Sequence, residues 1–213
     1  MKNAIIFGDS YSTFKGYIPE GNAEWYFEGK DPECTDVTKV EETWWHMLSE
    51  EAELNIILND SWSGSTICHT GYNNADCSET SSFICRLHKH IENGFFEQNK
   101  IDMVFVFGGT NDSWADAPLG ELKFDDFLKE DLYSVLPAAS YFIKTLREQL
   151  PEAEIYCLAN TEIKDEIPEG MAKICKRFGA KLVHFDFIHK TYGHPNIQGM
   201  QDIKNGLLNA INE

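Results

Sequence analysis

The sequence predicts an α/β fold built on a parallel sheet of five strands, and three observations carry this prediction. Short apolar runs typical of buried strands alternate with longer segments whose apolar residues recur at helical spacing. Clusters of Gly, Asp, Asn and hydroxyl residues follow the first strands. The chain has 213 residues and no linker-like or low-complexity segment. We therefore expect a single domain over residues 1–213.

The first predicted strand, Ala4–Phe7, runs directly into Gly8, Asp9 and Ser10. In an open α/β sheet, ligands bind beyond the carboxyl ends of the strands, and Ser10 lies at such a position. Ser10 is therefore a candidate nucleophile. The same Asp-Ser pair also fits a plain cap for a following helix, so this stretch alone leaves both interpretations open.

A long connection follows, from residue 15 to about residue 40, and it interleaves Gly and Pro with aromatic residues. Connections of this length inside a compact domain are usually functional. Its aromatic side chains, Tyr17, Trp25, Tyr26 and Phe27, fit two roles: lining a pocket wall, or anchoring the loop to the body of the protein.

The remaining strands and helices continue the alternation. Strands are expected at Leu54–Leu58, Ile101–Phe107, Ile155–Ala159 and Lys181–Phe185, and helices at Glu41–Ala52, Thr80–Gln98, Phe124–Leu150, Ile167–Phe178 and Ile197–Ile211. In the second helix Arg86, Lys89 and His90 lie between the apolar positions, which indicates a surface helix. In the third, Pro137 is expected to kink or divide the helix.

The charge balance disfavours two classes of partner. The chain has 18 basic and 35 acidic residues, for a formal charge of −17, which repels nucleic acid and anionic membrane surfaces. No signal peptide or membrane span is visible, so we expect a cytoplasmic protein. The six cysteines are dilute and are expected to be free thiols.

Four loops predicted at one sheet edge carry residues suited to ester hydrolysis. Ser10 and His194 supply a hydroxyl and a base that titrates near neutrality. The amides of Ser10 and Gly64, with the side-chain amide of Asn111, could donate to an oxyanion. Trp62 and Trp114 lie close in sequence to these residues, and they fit either sugar stacking or loop packing. The expected partner is a small acyl ester, and the aromatic residues favour an acylated sugar over a lipid.

These motifs resemble those of the SGNH/GDSL hydrolase family, over nearly the whole chain. Gly8-Asp9-Ser10 is similar to the block that holds the nucleophile, Asn59–Thr66 to the block with the oxyanion glycine, here Gly64, and Gly108–Asp112 to the block with the oxyanion asparagine, here Asn111. His194-Pro195-Asn196, with Gly199-Met200, resembles the block with the catalytic histidine. The resemblance implies a flavodoxin-like three-layer α/β/α sandwich and hydrolysis through an acyl-enzyme, without metal or cofactor.

The sequence departs from the family pattern at one position. The family usually has Asp three residues before the histidine, and here that residue is Thr191. The Thr191 hydroxyl, or a main-chain carbonyl in the turn Phe187–Gly193, could orient His194 and leave a Ser-His dyad. The rival is a carboxylate from elsewhere, such as Asp186 or Asp9.

Features of other functions are also present in the sequence, and each is weaker than the esterase motifs. Cys68, His69, Cys77, Cys85, His88 and His90 include metal-ligating side chains, but their spacing fits no standard zinc site. A nucleotide site lacks its Gly-rich fingerprint. Asp9 and Asp112 as a glycosidase pair are better explained as turn residues. The main alternative is a non-catalytic carbohydrate-binding module on the same fold. The acyl group, the alcohol and the oligomeric state are left open.

Overall fold

A five-stranded parallel sheet organises the structure, as the sequence predicts. The structure is a computed structural model that describes all residues, Met1–Glu213. The strands lie in the order β2-β1-β3-β4-β5. They span β1 Lys2–Gly8, β2 Leu54–Ser61, β3 Met103–Phe107, β4 Glu154–Ala159 and β5 Lys181–His184.

Helices cover both faces of the sheet, which gives the three layers. They span α1 Trp44–Glu51, α2 Phe83–Glu92, α3 Phe95–Gln98, α4 Thr110–Trp114, α5 Val135–Gln149, α6 Glu166–Phe178 and α7 Ile197–Asn212. One apolar core lies under α2, α5 and α6, and a second lies under α1 and α7. Along β3, Val104 enters the first core and Phe105 the second. This two-sided burial explains why the strand sequence is almost continuously apolar.

The predicted helix Thr80–Gln98 is wrong in its extent. Ser82 caps α2 by accepting a hydrogen bond from the amide of Cys85, at 3.1 Å. Gly94 then adopts a left-handed conformation, φ 66°, which ends α2 and separates it from the short helix α3. The expectation that Arg86 lies on a surface face is also wrong, because its side chain is buried.

Other boundaries also differ from the prediction. Helix α1 begins at Trp44, because residues 40–42 form a separate 3-10 turn. Helix α5 begins at Val135 and not at Phe124, and residues 129–133 before it form another 3-10 turn. Pro137 lies in the first turn of α5, where a missing N–H costs no helical hydrogen bond, so it neither kinks nor divides the helix. Strand β2 continues through Asn59, Asp60 and Ser61, which the sequence pattern placed in a loop.

The carboxyl ends of the central strands meet at one edge of the sheet. Gly8, the last residue of β1, pairs with Ser61 of β2 on one side and with Phe107 of β3 on the other. The loops that follow these three strands therefore start side by side. A short hairpin of β6 Lys190–Thr191 and β7 His194–Pro195 joins them from the far end of the chain.

All six cysteines are free thiols. No helix has both the length and the apolar character needed to cross a membrane.

Candidate active site

Ser10 begins a 3-10 turn, Ser10–Ser12, directly after β1. The carboxylate of Asp9 holds this turn by accepting a hydrogen bond from the amide of Tyr11, at 3.0 Å. The strand can turn here because Gly8 has no side chain: a Cβ atom would lie 2.4 Å from the hydroxyl oxygen of Ser61 and 2.6 Å from Cβ of Ser12. Gly8 and Asp9 are thus explained by the local packing and the turn, whatever the chemistry of Ser10.

The hairpin β6–β7 brings His194 to Ser10. Its Nε2 atom lies 3.0 Å from Oγ of Ser10, and its Nδ1 atom lies 3.0 Å from the carbonyl oxygen of Tyr192. A carbonyl can only accept a hydrogen bond, so Nδ1 carries the proton of the neutral ring. Nε2 is then the acceptor for the Ser10 hydroxyl. The Ser10 hydroxyl and the His194 imidazole are therefore a hydrogen-bonded pair.

No carboxylate reaches Nδ1 of His194. The Asp186 side chain is exposed and makes no hydrogen bond. Asp202, a carboxylate on α7, binds the ring of His189 at 2.7 Å. Thr191 makes no side-chain hydrogen bond to the ring. Of the alternatives that the sequence left open, the structure shows the main-chain carbonyl in the 187–193 turn.

Two buried tyrosines fix the hairpin on both sides of His194. Tyr11 donates its hydroxyl proton to the carbonyl of Gly193, at 2.5 Å, and Tyr26 donates to the carbonyl of Pro195, at 2.7 Å. The tip of the hairpin has positive φ at Tyr192, 49°, and at Gly193, 73°, as a type I′ turn requires. The position of the imidazole is therefore set by the first strand loop as well as by its own hairpin.

The predicted oxyanion donors follow neighbouring strands, with Gly64 in the loop after β2 and Asn111 in α4 after β3. Gly64 is exposed, and its amide donates to no protein acceptor. Asn111 is held at both ends of its side-chain amide: Nδ2 donates to the carbonyl of Ser65, at 3.0 Å, and Oδ1 accepts from the hydroxyl of Tyr72, at 2.8 Å. These contacts use one of the two Nδ2 protons. The second remains available to an oxyanion.

A buried ionic cluster supports the loop that carries Gly64. Arg86 forms an ion pair with Asp60, at 3.0 Å, and also donates to the carbonyl of Gly8 and the hydroxyl of Ser65. His90 binds the other carboxylate oxygen of Asp60, at 2.8 Å. Burial acts to raise the pKa of Asp60, but Arg86 and His90 outweigh it and hold the pKa at about 2. No sequence pattern predicts this cluster, because its members come from two separate elements, β2 and α2.

Aromatic rings surround the histidine, and the nearest is one of the four for which the sequence left two roles open. Trp25, from the long connection after Ser10, stacks on His194 with ring centroids 3.6 Å apart and planes 8° apart. Trp114 approaches edge-on at 6.0 Å and is 42% exposed. The backbone of Trp62 lies beside the site, where its amide donates to the carbonyl of Gly8. Its ring makes no contact with the His194 ring.

The surroundings of His194 favour the neutral ring. Burial is the main reason that the pKa of His194 is lowered to about 4. The hydrogen bond to Tyr192 acts to raise this pKa, and the charges of Lys30 and Lys190 lower it further. Behind the nucleophile, burial raises the pKa of Asp9 to about 7. The imidazole is therefore unprotonated, and able to accept a proton, throughout the neutral and mildly acidic range.

The candidate metal ligands do not converge. His69 is hydrogen-bonded to Ser82, His88 to Tyr141 and His90 to Asp60. No group of three or more His, Cys, Asp or Glu side chains is arranged to hold a metal ion. Asp112 lies in α4 and accepts hydrogen bonds from the amides of Ile67 and Cys68, so it ties this helix to the loop after β2 and is not the turn residue that the sequence predicted.

One cavity lies away from Ser10 and His194. It has a volume of about 660 Å³ and is lined by residues of the long connection and the turn before α1, among them Phe14, Tyr17 and Phe27. Neither Ser10 nor His194 lines it.

The chain is similar to known proteins over nearly its whole length. A family model described as GDSL-like lipase/acylhydrolase matches residues 2–211. The structure of a protein described as a GDSL-like lipase from Bacteroides ovatus is 39% identical, with a TM-score of 0.91, and the match covers 100% of this chain and 98% of that one. A second such protein, from Bacteroides uniformis, is 42% identical, with a TM-score of 0.90 and coverage of 99% and 95%.

A more distant similarity extends to carbohydrate esterases. A family two carbohydrate esterase from Clostridium thermocellum, solved in complex with cellohexaose, is 16% identical with a TM-score of 0.63, and the match covers 99% of this chain and 63% of that one. This similarity shows a shared fold. No curated protein matches the chain.

Proposed function

Because the chain belongs to the GDSL-like lipase/acylhydrolase family, we propose that it is a serine ester hydrolase that works through a Ser10–His194 dyad. The observation that carries the proposal is the 3.0 Å contact between Oγ of Ser10 and Nε2 of His194, with Nδ1 committed to the Tyr192 carbonyl. This arrangement gives the hydroxyl a base in the correct tautomer.

In the proposed reaction, Oγ of Ser10 attacks the acyl carbon while its proton passes to Nε2 of His194. The tetrahedral intermediate collapses, the bond to the alcohol oxygen breaks, and His194 returns the proton to the departing alcohol. Water then attacks the acyl-enzyme in the same way, with His194 again taking and returning the proton. The carboxylic acid is released and Ser10 regains its proton.

The negative oxygen of the intermediate is stabilised by fixed donors in the same proposal. The free amide of Gly64 and the second Nδ2 proton of Asn111 provide them, with the amide of Ser10 as a third. Tyr72 and Ser65 hold the Asn111 amide before substrate binds, so no reorganisation is needed during the reaction.

We propose an acylated carbohydrate with a short acyl group as substrate. Three aromatic side chains near the site are at least 40% exposed: Trp114, Tyr72 and Tyr192. Trp114 contacts the His194 ring, Tyr72 is hydrogen-bonded to Asn111, and Tyr192 is at the tip of the hairpin that carries His194. Flat exposed aromatic faces suit sugar rings. The Clostridium thermocellum carbohydrate esterase with the same fold was solved with cellohexaose, which supports this class. Contact between Trp62 and the substrate also remains a prediction.

The alternative is a binding module that keeps the fold without efficient catalysis, as the missing acid at Thr191 would allow. A fluorophosphonate probe and p-nitrophenyl acetate separate the two, since only an activated hydroxyl reacts with either. We expect the wild type to hydrolyse the ester and to be labelled, and Ser10→Ala to lose both. Ser12→Ala, two residues along the same turn, is the matched control and should be labelled. Equal behaviour of wild type and Ser10→Ala would reject the esterase proposal.

Activity on acetylated sugars, compared with short and long p-nitrophenyl esters, then tests the substrate class. Faster hydrolysis of long acyl chains than of acetyl esters would contradict it.

A further inference from the structure

We propose that Trp25 is the positioning residue that takes the place of the missing acid: its indole face holds the His194 imidazole toward Ser10 and stabilises the ring when it takes the serine proton. This inference rests on the proposed function, because it assigns a part in the same reaction. It comes from the stack between a loop residue near the start of the chain and a histidine near its end.

The geometry gives the stack a task that the hydrogen bonds of the ring cannot perform. The two nitrogen contacts, to Tyr192 and Ser10, restrain the imidazole within its own plane. Trp25 lies parallel to that plane at 3.6 Å, so it blocks tilting of the ring out of it. The face of an aromatic ring also attracts a cation, here the protonated His194 ring. The carbonyl of Tyr192 attracts that cation only through its dipole. These are the two functions that a triad carboxylate performs.

Trp25 is fixed in the same frame as the nucleophile. Its amide donates to Oγ1 of Thr13, at 2.9 Å, and that hydroxyl donates to the carbonyl of Ser10, at 3.0 Å. The next residue, Tyr26, is bonded to the hairpin of His194. The indole N–H is buried and has no acceptor, although buried tryptophans usually find one. The contacts that hold the ring are therefore those of its faces.

Lys30 occupies the other face of the indole. Its ammonium lies 3.3 Å from the ring centroid, and it donates a hydrogen bond to the carbonyl of Trp25. An imidazole and an ammonium this close to one centroid cannot share a face, so the order is Lys30, Trp25, His194. The positive charge of Lys30 opposes protonation of His194 in the resting enzyme, and so does that of Lys190 on β6. The other titratable side chain that packs against the imidazole is Tyr11, from the turn after β1.

Two variants of Trp25 test the positioning role. Trp25→Leu fills much of the space without an aromatic face, and we expect kcat for p-nitrophenyl acetate to fall by about three- to thirtyfold, the range of a cation–π contact, with KM changed less than about twofold. Trp25→Phe restores a face and should recover most of the loss. Equal kcat for Trp25→Leu and wild type, or no recovery in Trp25→Phe, would overturn the inference.

Lys30→Met tests the stack without altering the indole. By NMR titration of the His194 ring, assigned with His194→Gln, we expect the pKa of His194 to rise, because a nearby cation has been removed. Lys39→Met removes a lysine of the same connection that is not among the charges acting on His194, so this control should leave the pKa unchanged. An unmoved His194 titration in Lys30→Met would also overturn the inference, and this readout does not depend on activity. Failure of fluorophosphonate labelling in the wild type would instead remove the proposed function.

Discussion

Asp60 provides the sharpest test of how the site is supported. Its carboxylate is 3% exposed and binds Arg86, at 3.0 Å, and His90, at 2.8 Å. It also accepts from the side chain of Asn22, at 3.1 Å. Asp60→Asn keeps the shape of the side chain and removes its charge, which leaves the guanidinium of Arg86 buried without its partner.

The magnitude follows from the pKa. The surroundings lower the pKa of Asp60 from 3.8 to about 2, which corresponds to about 2 kcal/mol of stability at neutral pH. Leaving one member of a buried ion pair alone costs about 3–5 kcal/mol in other proteins. We therefore expect Asp60→Asn to lose about 2–4 kcal/mol of unfolding free energy. In a domain of this length that is a fall in Tm of about 5–15 °C.

Urea and thermal unfolding at several pH values are the assays. The folded pKa is the lower one, so the charge of Asp60 contributes stability above about pH 4, and this contribution is lost as pH falls through about 2. The gap between wild type and Asp60→Asn should therefore close over that interval. Asp116→Asn removes an exposed carboxylate paired with Lys164 and is the control, with no expected change. A gap below about 0.5 kcal/mol at pH 7 would refute the reasoning, since surface substitutions alone reach that size.

Three further predictions concern the reaction. Asn111→Ala should lower kcat by about a hundredfold or more, as loss of one oxyanion donor does in other hydrolases. Tyr72→Phe should lower kcat by about tenfold or less, because it removes only the hydrogen bond that orients the Asn111 amide. An unchanged kcat in Asn111→Ala would exclude Asn111 from the site. Asp186→Asn should lose less than about tenfold in turnover, whereas a true triad acid costs on the order of ten-thousandfold. The acid limb of kcat/KM should lie near pH 4, because the neutral form of His194 is the base and its pKa is lowered to about 4; a limb at pH 6.5 would contradict this.

The long connection, from residue 15 to about residue 40, shows what the structure adds to the sequence pattern. Its aromatic residues fitted either a pocket wall or an anchor, and the structure assigns them different positions. Tyr26 is a buried anchor of the hairpin, Trp25 lies on His194, and Tyr17 is exposed and lines a cavity of its own. The path of an irregular loop is set by many tertiary contacts, so adjacent residues of one composition can have unrelated partners.

The sequence by itself determined the sheet, the order of its loops and the residues that meet at its edge. Strand burial on both faces and helical spacing are local patterns, and the carboxyl ends of parallel strands always meet, so Ser10, Gly64 and Asn111 could be placed from composition and order. Only the tertiary structure decided which side chains and carbonyls hold His194 and the loop of Gly64 in place. The Tyr192 carbonyl on Nδ1, the indole of Trp25 and the pair of Arg86 with Asp60 join segments far apart in the chain or depend on backbone atoms. Such contacts leave no periodic signal, because they are set by how elements pack and not by neighbours in sequence.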